Sequence, residues 1–413
     1  MTHLLTALAV ATVALAAEPP VHLLLAAPTN GYLEPCGCGG QVAGGLARRA
    51  QVVADLRSRQ PDLLLVEMGS QGTQAEAWPL LARALGALRP AAVGLGPDDL
   101  AGAWLPAATS LPLTSLTPPL PAEQSPGAER SRSAPPPVSQ ILKAPGGVKV
   151  GFLSVAFGPL TTSELVAKAQ AEVAKLRAAG CALWVLGSHL GATGTERLVS
   201  RLAPDDRPRV VALATSANEP APPSDKLGAT WVPVAQKGRS LSQVTLTSAG
   251  DGWAVNVTHH LLTDGPRDAM VQGWVDDYYR ARQVAAQPAA SATASFARPA
   301  ACVACHEPQV KAWRGHAHAR AVDTLAGKGR LVPECLRCHD ERQRRDHQPS
   351  GPGDRGVECA SCHDTPPAHL ERKASATRPS RATCTACHNP EHSPRFQPDA
   401  AWTAIRDLCR AKR

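Results

Sequence analysis

Four copies of one short pattern, Cys-x-x-Cys-His, lie in the last quarter of this 413-residue chain. Two thiols and an imidazole at this spacing can attach a porphyrin by two thioether bonds and bind its iron from one face. The pattern therefore predicts four covalently bound c-type haems. The attachment residues are Cys302, Cys305, Cys335, Cys338, Cys359, Cys362, Cys384 and Cys387, and the proximal iron ligands are His306, His339, His363 and His388.

Zinc sites are the alternative interpretation, because pairs of Cys-x-x-Cys also bind zinc. A zinc site needs no His directly after each second Cys, and His makes up only 14 of the 413 residues. Four such coincidences would occur by chance about once in a million, so the spacing favours haem.

The positive charge is concentrated in the segment that carries these motifs. From Arg298 to the end there are 20 Lys and Arg against 13 Asp and Glu, whereas the rest of the chain has 23 against 22. Each haem carries two propionates, so four oxidised haems would bring a net of about four negative charges. We therefore expect the surplus of positive charge to neutralise the haem propionates, and we expect no nucleic-acid binding.

The first residues predict export. Residues 1–17 form an apolar run that ends in small residues, which fits a cleaved signal peptide, although no Lys or Arg precedes the run. Covalent haem attachment itself requires export, so the two features support each other. No later segment is apolar enough for a membrane helix, and we expect a periplasmic or otherwise exported protein without a transmembrane segment after signal removal.

The chain divides into two predicted domains. Strand-like and helix-like runs alternate through residues 18–284, which predicts an α/β layered sandwich. Residues 118–138, rich in Pro, Ser, Arg and Glu, predict an inserted loop in it, and the Pro/Ala/Ser-rich residues 285–297 predict a linker. Within the first domain, apolar spacing predicts a helix over 46–59. Runs at 231–234, 241–246 and 253–257 predict three successive strands in an antiparallel closing portion.

Residues 298–413 form the second predicted domain. Large apolar residues make up only about one in eight there, too few for an ordinary core of that size. We therefore expect a mostly helical or irregular domain whose core is the haems themselves. The motifs follow one another at 33, 24 and 25 residues, which favours one haem-packing domain over separate modules.

The haem segment resembles the cytochrome c-554-type multihaem family over nearly all of residues 298–405. The matching residues are Trp313 with the His318-Ala-Arg-Ala that follows, Gly356-Val-Glu-Cys-Ala-Ser-Cys-His with His369 beyond it, and the stretch from Cys384 through His392 to Phe396. In that family, His residues outside the motifs fill the second axial position of the iron. The resemblance therefore implies His318, His369 and His392 as distal ligands.

Counting histidines gives the same picture. The segment has nine His, of which four are proximal, so five remain: His316, His318, His347, His369 and His392. We add His347 to the distal candidates, whereas His316 lies two residues from His318 and would face another side of a helix. A haem without a distal protein ligand stays possible on this count, with the haem at Cys335 and Cys338 as the first candidate.

The first domain resembles a degenerate metallophosphoesterase of the periplasmic 5′-nucleotidase branch. The matching blocks are Thr29-Asn-Gly-Tyr-Leu, Gly-Gly-Leu-Ala-Arg-Arg49, Leu64 to Ser70, Gly96-Pro-Asp-Asp, Gly187-Ser-His189 and Ala214-Thr-Ser-Ala-Asn. Of the metal ligands in that family only His189 is clearly retained, and Ser70 and Pro97 stand where ligands belong. Two-metal phosphate chemistry needs several carboxylates and imidazoles, so we expect no phosphoesterase activity.

Two further thiols, Cys36 and Cys38, lie in the loop where that family's active site begins. A Cys-Gly-Cys pair can bind a soft metal, cycle as a disulfide or receive electrons from the haems. A plain oxidised pair or two free thiols are the alternatives, and we favour these alternatives. Cys181 is predicted to be a core residue, and Cys409 lies in the C-terminal tail.

Three functions are compatible with these observations. The first is electron transfer through four haems between redox partner proteins, which the sequence does not identify. The second is a redox enzyme that acts on a small nitrogen or sulfur species, at an incompletely ligated haem or at Cys36 and Cys38. The third is a docking module whose first domain binds a partner or anionic ligand. We favour electron transfer, because two axial imidazoles leave no open position on the iron.

Overall fold

The fold was analysed in a computed structural model that describes residues 18–35, 43–100, 108, 110–119, 135–250, 252–285, 294–350, 355–390, 392–393 and 395–410. Internal contacts divide the chain into two compact units, with the boundary after Pro266. Glu34 groups with the second unit although it stands early in the sequence. The predicted linker begins later, at residue 285. Most of that linker lies outside the described residues, as do the predicted signal peptide and residues 120–134 of the predicted inserted loop.

The first unit contains two six-stranded sheets. The strands of the first sheet are β1 (Val21–Ala26), β2 (Leu64–Glu67), β3 (Ala92–Gly94), β4 (Leu113–Thr114), β11 (Ser240–Ala249) and β12 (Gly252–Leu261). Those of the second sheet are β5 (Ser139–Lys143), β6 (Lys149–Ala156), β7 (Leu183–His189), β8 (Val210–Ala214), β9 (Ser224–Lys226) and β10 (Ala229–Val234). The spatial orders are β12-β11-β1-β2-β3-β4 and β5-β6-β7-β8-β10-β9.

Both sheets are mixed. Strands β1 to β4 are parallel to one another. Strands β11 and β12 form a hairpin, and β11 pairs with β1 in the antiparallel direction. In the second sheet β6, β7, β8 and β10 are parallel, whereas β5 and β9 pair antiparallel at the two edges. The predicted group of three antiparallel strands was therefore wrong in one member, since β10 joins the second sheet, with Trp231 opposite Val211.

The core of this unit lies between the two sheets. Alternate residues of β1, such as Leu23 and Leu25, are fully buried in one cluster with Phe152 of β6 and Val185 of β7. Side chains alternate between the faces of a strand, so Leu153 and Leu186 lie on the opposite face, in a second cluster. These two layers of apolar contact confirm the α/β layered architecture.

The described helices of the first unit cover the sheets. They are α1 (Leu46–Arg59), α2 (Trp78–Ala87), α3 (Pro97–Leu100), α4 (Thr162–Ala178) and α5 (Gly191–Ser200). The predicted helix over 46–59 is confirmed to the residue. Helix α4 begins at a capping box in which the Thr161 hydroxyl accepts from the N–H of Glu164, and it buries Leu165, Ala169 and Leu176 along one stripe.

The second unit is built from short helices, with no strand among its described residues. They are α6 (Ala269–Ala285), α7 (Pro299–Arg314), α8 (Ala321–Ala326), α9 (Pro333–His339), α10 (Glu341–Asp346), α11 (Cys359–Cys362), α12 (Pro367–Leu370), α13 (Arg381–Thr385) and α14 (Pro398–Cys409). An apolar cluster among the described residues of this unit has Val322, Leu325 and Leu336 as its buried members. Helices of four to seven residues cannot be stable on their own, so this unit depends on contacts other than an ordinary apolar core.

Within the described ranges, no helix combines the length and the apolar character that crossing a bilayer requires.

Candidate functional site

Each Cys-x-x-Cys-His motif lies on or at the end of a short helix. The first lies in α7, which is kinked at His306, and the second closes α9. The N–H of His363 donates to the carbonyl of Cys359 at 2.8 Å, and that of His388 to the carbonyl of Cys384 at 2.9 Å. Such a turn places positions i, i+3 and i+4 on one face, so two thiols and one imidazole project together.

The orientation of the imidazoles is set by their Nδ1 atoms. Nδ1 of His339, His363 and His369 lies 3.1, 3.1 and 3.0 Å from a backbone carbonyl oxygen, and Nδ1 of His388 lies 3.0 Å from the hydroxyl of Ser393. A carbonyl only accepts, so Nδ1 of the first three rings carries the proton and Nε2 keeps its lone pair. This is the arrangement found behind metal-binding histidines.

Two imidazoles lie close together and nearly parallel at the first motif. The ring centres of His306 and His369 are 6.4 Å apart, with planes only 10° from parallel. Two imidazoles that bind one metal from opposite sides, with bonds of about 2 Å, would have ring centres about 6 Å apart. The gap therefore has the width that a shared iron requires.

A second pair of the same kind involves the fourth motif. The ring centres of His388 and His318 are 6.2 Å apart, with planes at 45°. Burial, followed by the nearby His316, His388 and His339, lowers the pKa of His318 to about 4. The ring is therefore neutral at physiological pH, which is the form that binds metals.

The remaining predicted distal residues are placed differently. His392 lies near the Cys338 thiol, whose pKa its charge helps to lower. His347 is exposed and ends α10 in the left-handed conformation, with φ 54°. The Nδ1 atom of His316 accepts from the backbone N–H of His318 at 3.2 Å, as a cap of the turn Ala317–Arg320. An accepting Nδ1 leaves the proton of a neutral ring on Nε2, so His316 is not set to bind iron.

Thiols of different motifs lie in contact. A hydrogen bond between Cys302 and Cys359 lowers the pKa of Cys302 to about 7 and raises that of Cys359. A hydrogen bond between Cys338 and Cys387 likewise lowers the pKa of Cys338 to about 6 and raises that of Cys387. The fold thus brings the first motif to the third and the second motif to the fourth.

The donor set fits haem. Each motif presents two thiols and an imidazole on one turn of chain, and three of the four proximal rings have a hydrogen-bonded Nδ1 behind them. In the part of the chain that the structure describes, no three His, Cys, Asp or Glu side chains converge as a metal ion would require.

The loops that follow β1 and β2 contact each other at the same edge of the first sheet. The N–H groups of Asn30 and Gly31 donate to the carbonyls of Ser70 and Gln71 at 2.7 and 2.8 Å. The two loops are so close that a Cβ on Gly72, with φ 105°, would lie 2.5 Å from the nitrogen of Gly31. The backbones of the two loops are therefore in close contact at this point.

The charged residues at this edge serve the fold. The carboxylate of Asp99 accepts from the N–H groups of Ser70, Gln71 and Gly96 at 2.5, 2.9 and 2.8 Å, and burial raises its pKa to about 7. Nε2 of His189 lies 2.5 Å from the carbonyl oxygen of Met68, and burial lowers the pKa of this imidazole. The Nε2 atom of His189 therefore already makes a contact with the backbone.

Among the other predicted thiols, Cys36 and Cys38 lie outside the described residues. Cys181 is half-buried just before β7 and packs at the margin of a core cluster, and Cys409 is exposed at the end of α14. Sequence reasoning missed a cluster of ionic contacts around Glu34 and Arg330, close to the second motif. The sequence carries only a weak signal for this cluster, because single charged residues usually lie on the solvated surface.

The second unit matches a known family in part. The model of the family "Cytochrome c554 and c-prime" matches residues 301–364, which hold three of the four motifs. No curated protein matches the chain.

The first unit resembles solved phosphoesterases. The 5′-nucleotidase precursor from Thermus thermophilus is 18% identical with a TM-score of 0.52, and the alignment covers 67% of this chain and 62% of that one. The NAD nucleotidase of Haemophilus influenzae is 14% identical with a TM-score of 0.51, covering 68% and 64%. The sulfate thiohydrolase SoxB of Thermus thermophilus is 12% identical with a TM-score of 0.50, covering 64% and 61%.

This chain therefore spans less than two thirds of the length of these structures, and identities below a fifth show a shared fold alone. The comparisons therefore differ between the two units: residues 301–364 of the second unit match the model of the cytochrome c554 and c-prime family, and the first unit has the metallophosphoesterase fold.

Proposed function

We propose that this protein is an exported multihaem cytochrome that transfers electrons through four covalently attached haems. The observation that carries the proposal is the pair of facing imidazoles at each of two motifs, 6.4 and 6.2 Å apart. On this basis His306 and His369 bind the iron of the first haem, and His388 and His318 bind that of the fourth. An iron with two imidazole ligands has no open position for a substrate and is suited to electron transfer.

The protein residues attach, orient and tune the haems. The two thiols of each motif would hold one edge of the porphyrin, and the contacts of Nδ1 of His339 and His363 with backbone carbonyls leave the Nε2 lone pairs of these rings free for iron. Haem supplies the one-electron chemistry when bound. A hydrogen-bonded imidazole holds its geometry in both oxidation states, so little reorganisation would accompany electron transfer.

The contacts between motifs support short electron-transfer steps. The thiols of Cys302 and Cys359 touch, as do those of Cys338 and Cys387. Each thiol marks one edge of a porphyrin, so the first haem lies beside the third and the second beside the fourth. Electrons would then enter from and leave to redox partner proteins in the periplasm or another exported compartment.

A reductive titration tests this proposal. The haem-loaded full-length chain should take up four electrons per chain from dithionite under anaerobic conditions, one for each motif. Ferricyanide should recover the oxidised visible spectrum completely. Uptake of fewer than four electrons by protein with four bound haems, or loss of spectral amplitude over one cycle, would contradict an electron carrier.

A redox reaction with a small nitrogen or sulfur species is the second candidate. Neither His339 nor His363 has a second imidazole at about 6 Å among the described residues, unlike the rings of the first and fourth motifs. Carbon monoxide distinguishes the candidates, since it binds reduced haem iron with an open axial position. Carbon monoxide that binds the haem of Cys335 and Cys338 or that of Cys359 and Cys362, and that is lost when the thiols of that motif are replaced, favours the second candidate. No binding favours electron transfer alone.

A further inference from the structure

An ionic cluster surrounds Glu34 in the second unit. Its carboxylate is 13% exposed, pairs with Arg330 and lies 3.5 Å from Arg267. The amide of Gln272, on α6, donates to it at 2.7 Å. A carboxylate that is this buried and this well supplied with donors is held in one position.

Arg330 lies between this carboxylate and an aromatic ring. Its guanidinium stands over Tyr279, 4.2 Å from the ring centre, and its Nη2 atom is 3.6 Å from a carboxylate oxygen of Asp276. Such stacking orders the planar side chain. Glu34 and Tyr279 together therefore fix the positive charge of Arg330.

This charge lies close to the second haem attachment. The N–H of Val332 donates to the carbonyl of Arg330 at 2.8 Å, and the N–H of Cys335 donates to the carbonyl of Val332 at 3.0 Å, so the chain turns tightly between them. The Cys335 thiol also acts electrostatically on Tyr279, the ring beneath the guanidinium. Two fixed and opposite charges thus stand beside the haem that Cys335 and Cys338 would attach.

Charges at this range change the reduction of iron. At about 10 Å and an effective dielectric constant of about 20, one unit charge changes the equilibrium between oxidised and reduced iron by about tenfold or more. A positive charge favours the reduced iron and a negative charge favours the oxidised iron. When both are present and paired, the two effects largely cancel.

We propose that Glu34 is a positioning residue for Arg330, and that this ion pair sets the reduction potential of the haem attached to Cys335 and Cys338. The proposal rests on the proposed electron-transfer function and adds a residue from the start of the chain to the surroundings of one haem. Glu34 acts through its pairing with Arg330 and does not touch the iron.

Spectroelectrochemical titration of the haem-loaded full-length chain tests this. Glu34→Gln removes the carboxylate that pairs most closely with Arg330 and leaves only Asp276 near it, so one of the four potentials should rise. A tenfold change in the ratio of oxidised to reduced iron corresponds to about 59 mV for a one-electron couple. Arg330→Gln should lower the same potential, and the double variant should return close to the wild-type value. Arg330→Lys, which keeps the charge, should move that potential little.

Asp277→Asn is the matched control. It removes a carboxylate from α6 that pairs with Arg280 in an exposed position, with both side chains 69% exposed, and no potential should change. In a chain with Cys335→Ser and Cys338→Ser, Glu34→Gln should leave the three remaining potentials unchanged.

Equal potentials in all single variants, or shifts of the same sign in Glu34→Gln and Arg330→Gln, would overturn the proposal. A wild-type protein without four reversible potentials would instead contradict the proposed function, so the two failures are distinguishable. Haem content of each variant shows that it is loaded before its potentials are compared.

Discussion

Replacing His369 by Ala should convert the haem at Cys302 and Cys305 from low-spin to high-spin and leave the other haems unchanged. His369 faces His306 at 6.4 Å, so its loss opens one axial position of that iron alone. The electron paramagnetic resonance spectrum of the oxidised protein should gain one high-spin ferric signal per chain. The reduced protein should bind one additional carbon monoxide.

Two other histidines serve as comparisons for this result. His318→Ala should produce the same change at the haem of Cys384 and Cys387, because His318 faces His388 at 6.2 Å. His316→Ala should leave the spin state of every haem unchanged and cost only the stability of a turn cap, about 1 kcal/mol. A high-spin signal in His316→Ala, or none in His369→Ala, would show that the ligand assignment is wrong.

Replacing Arg49 by Ala should strongly destabilise the first unit. Arg49 on α1 donates to Glu67 of β2 at 2.8 Å and to the carbonyl of Ala27 at 2.7 Å, and both charged side chains are 1% exposed. The substitution would leave the Glu67 carboxylate buried without its cation, which costs about 3–5 kcal/mol in the free energy of unfolding. Hydrogen exchange of peptides covering Val21–Ala26 and Leu64–Glu67 in increasing urea measures this loss.

A double substitution separates the charge effect from packing. Arg49→Met combined with Glu67→Leu removes both charges and should recover most of the lost stability, because apolar residues of similar volume can replace a buried pair. Lys226→Ala, from an exposed pair with Glu196 at 48% and 44% exposure, should change stability by less than about 1 kcal/mol. Equal losses in Arg49→Ala and the double variant would contradict an electrostatic role.

The local parts of the fold could be predicted from the sequence. The helix over 46–59 and the apolar run that became β1 have short-range periodicity that fixes their type. The strand at 229–234 was assigned to the wrong neighbours, because its partner β8 precedes it in a parallel arrangement that adjacency along the chain does not reveal.

The candidate site likewise has a part that the sequence predicts and a part that only the fold reveals. Haem attachment is a local signal, since Cys302, Cys305 and His306 stand within one helical turn. The pairing of His306 with His369 joins distant parts of the second unit, so only the fold reveals which rings meet. Buried charges such as Arg49 and Glu34 could not be recognised, because Arg and Glu are ordinarily exposed and nothing in their neighbourhood marks them.

The central claim is a four-haem electron carrier in which at least two irons each lie between two imidazoles. The most direct measurement is an electron paramagnetic resonance spectrum of the oxidised full-length protein, together with the intact mass that counts haems per chain. Four haems, with low-spin signals that include the first and fourth, are the predicted result. Fewer than four haems, or a predominantly high-spin spectrum, would contradict it.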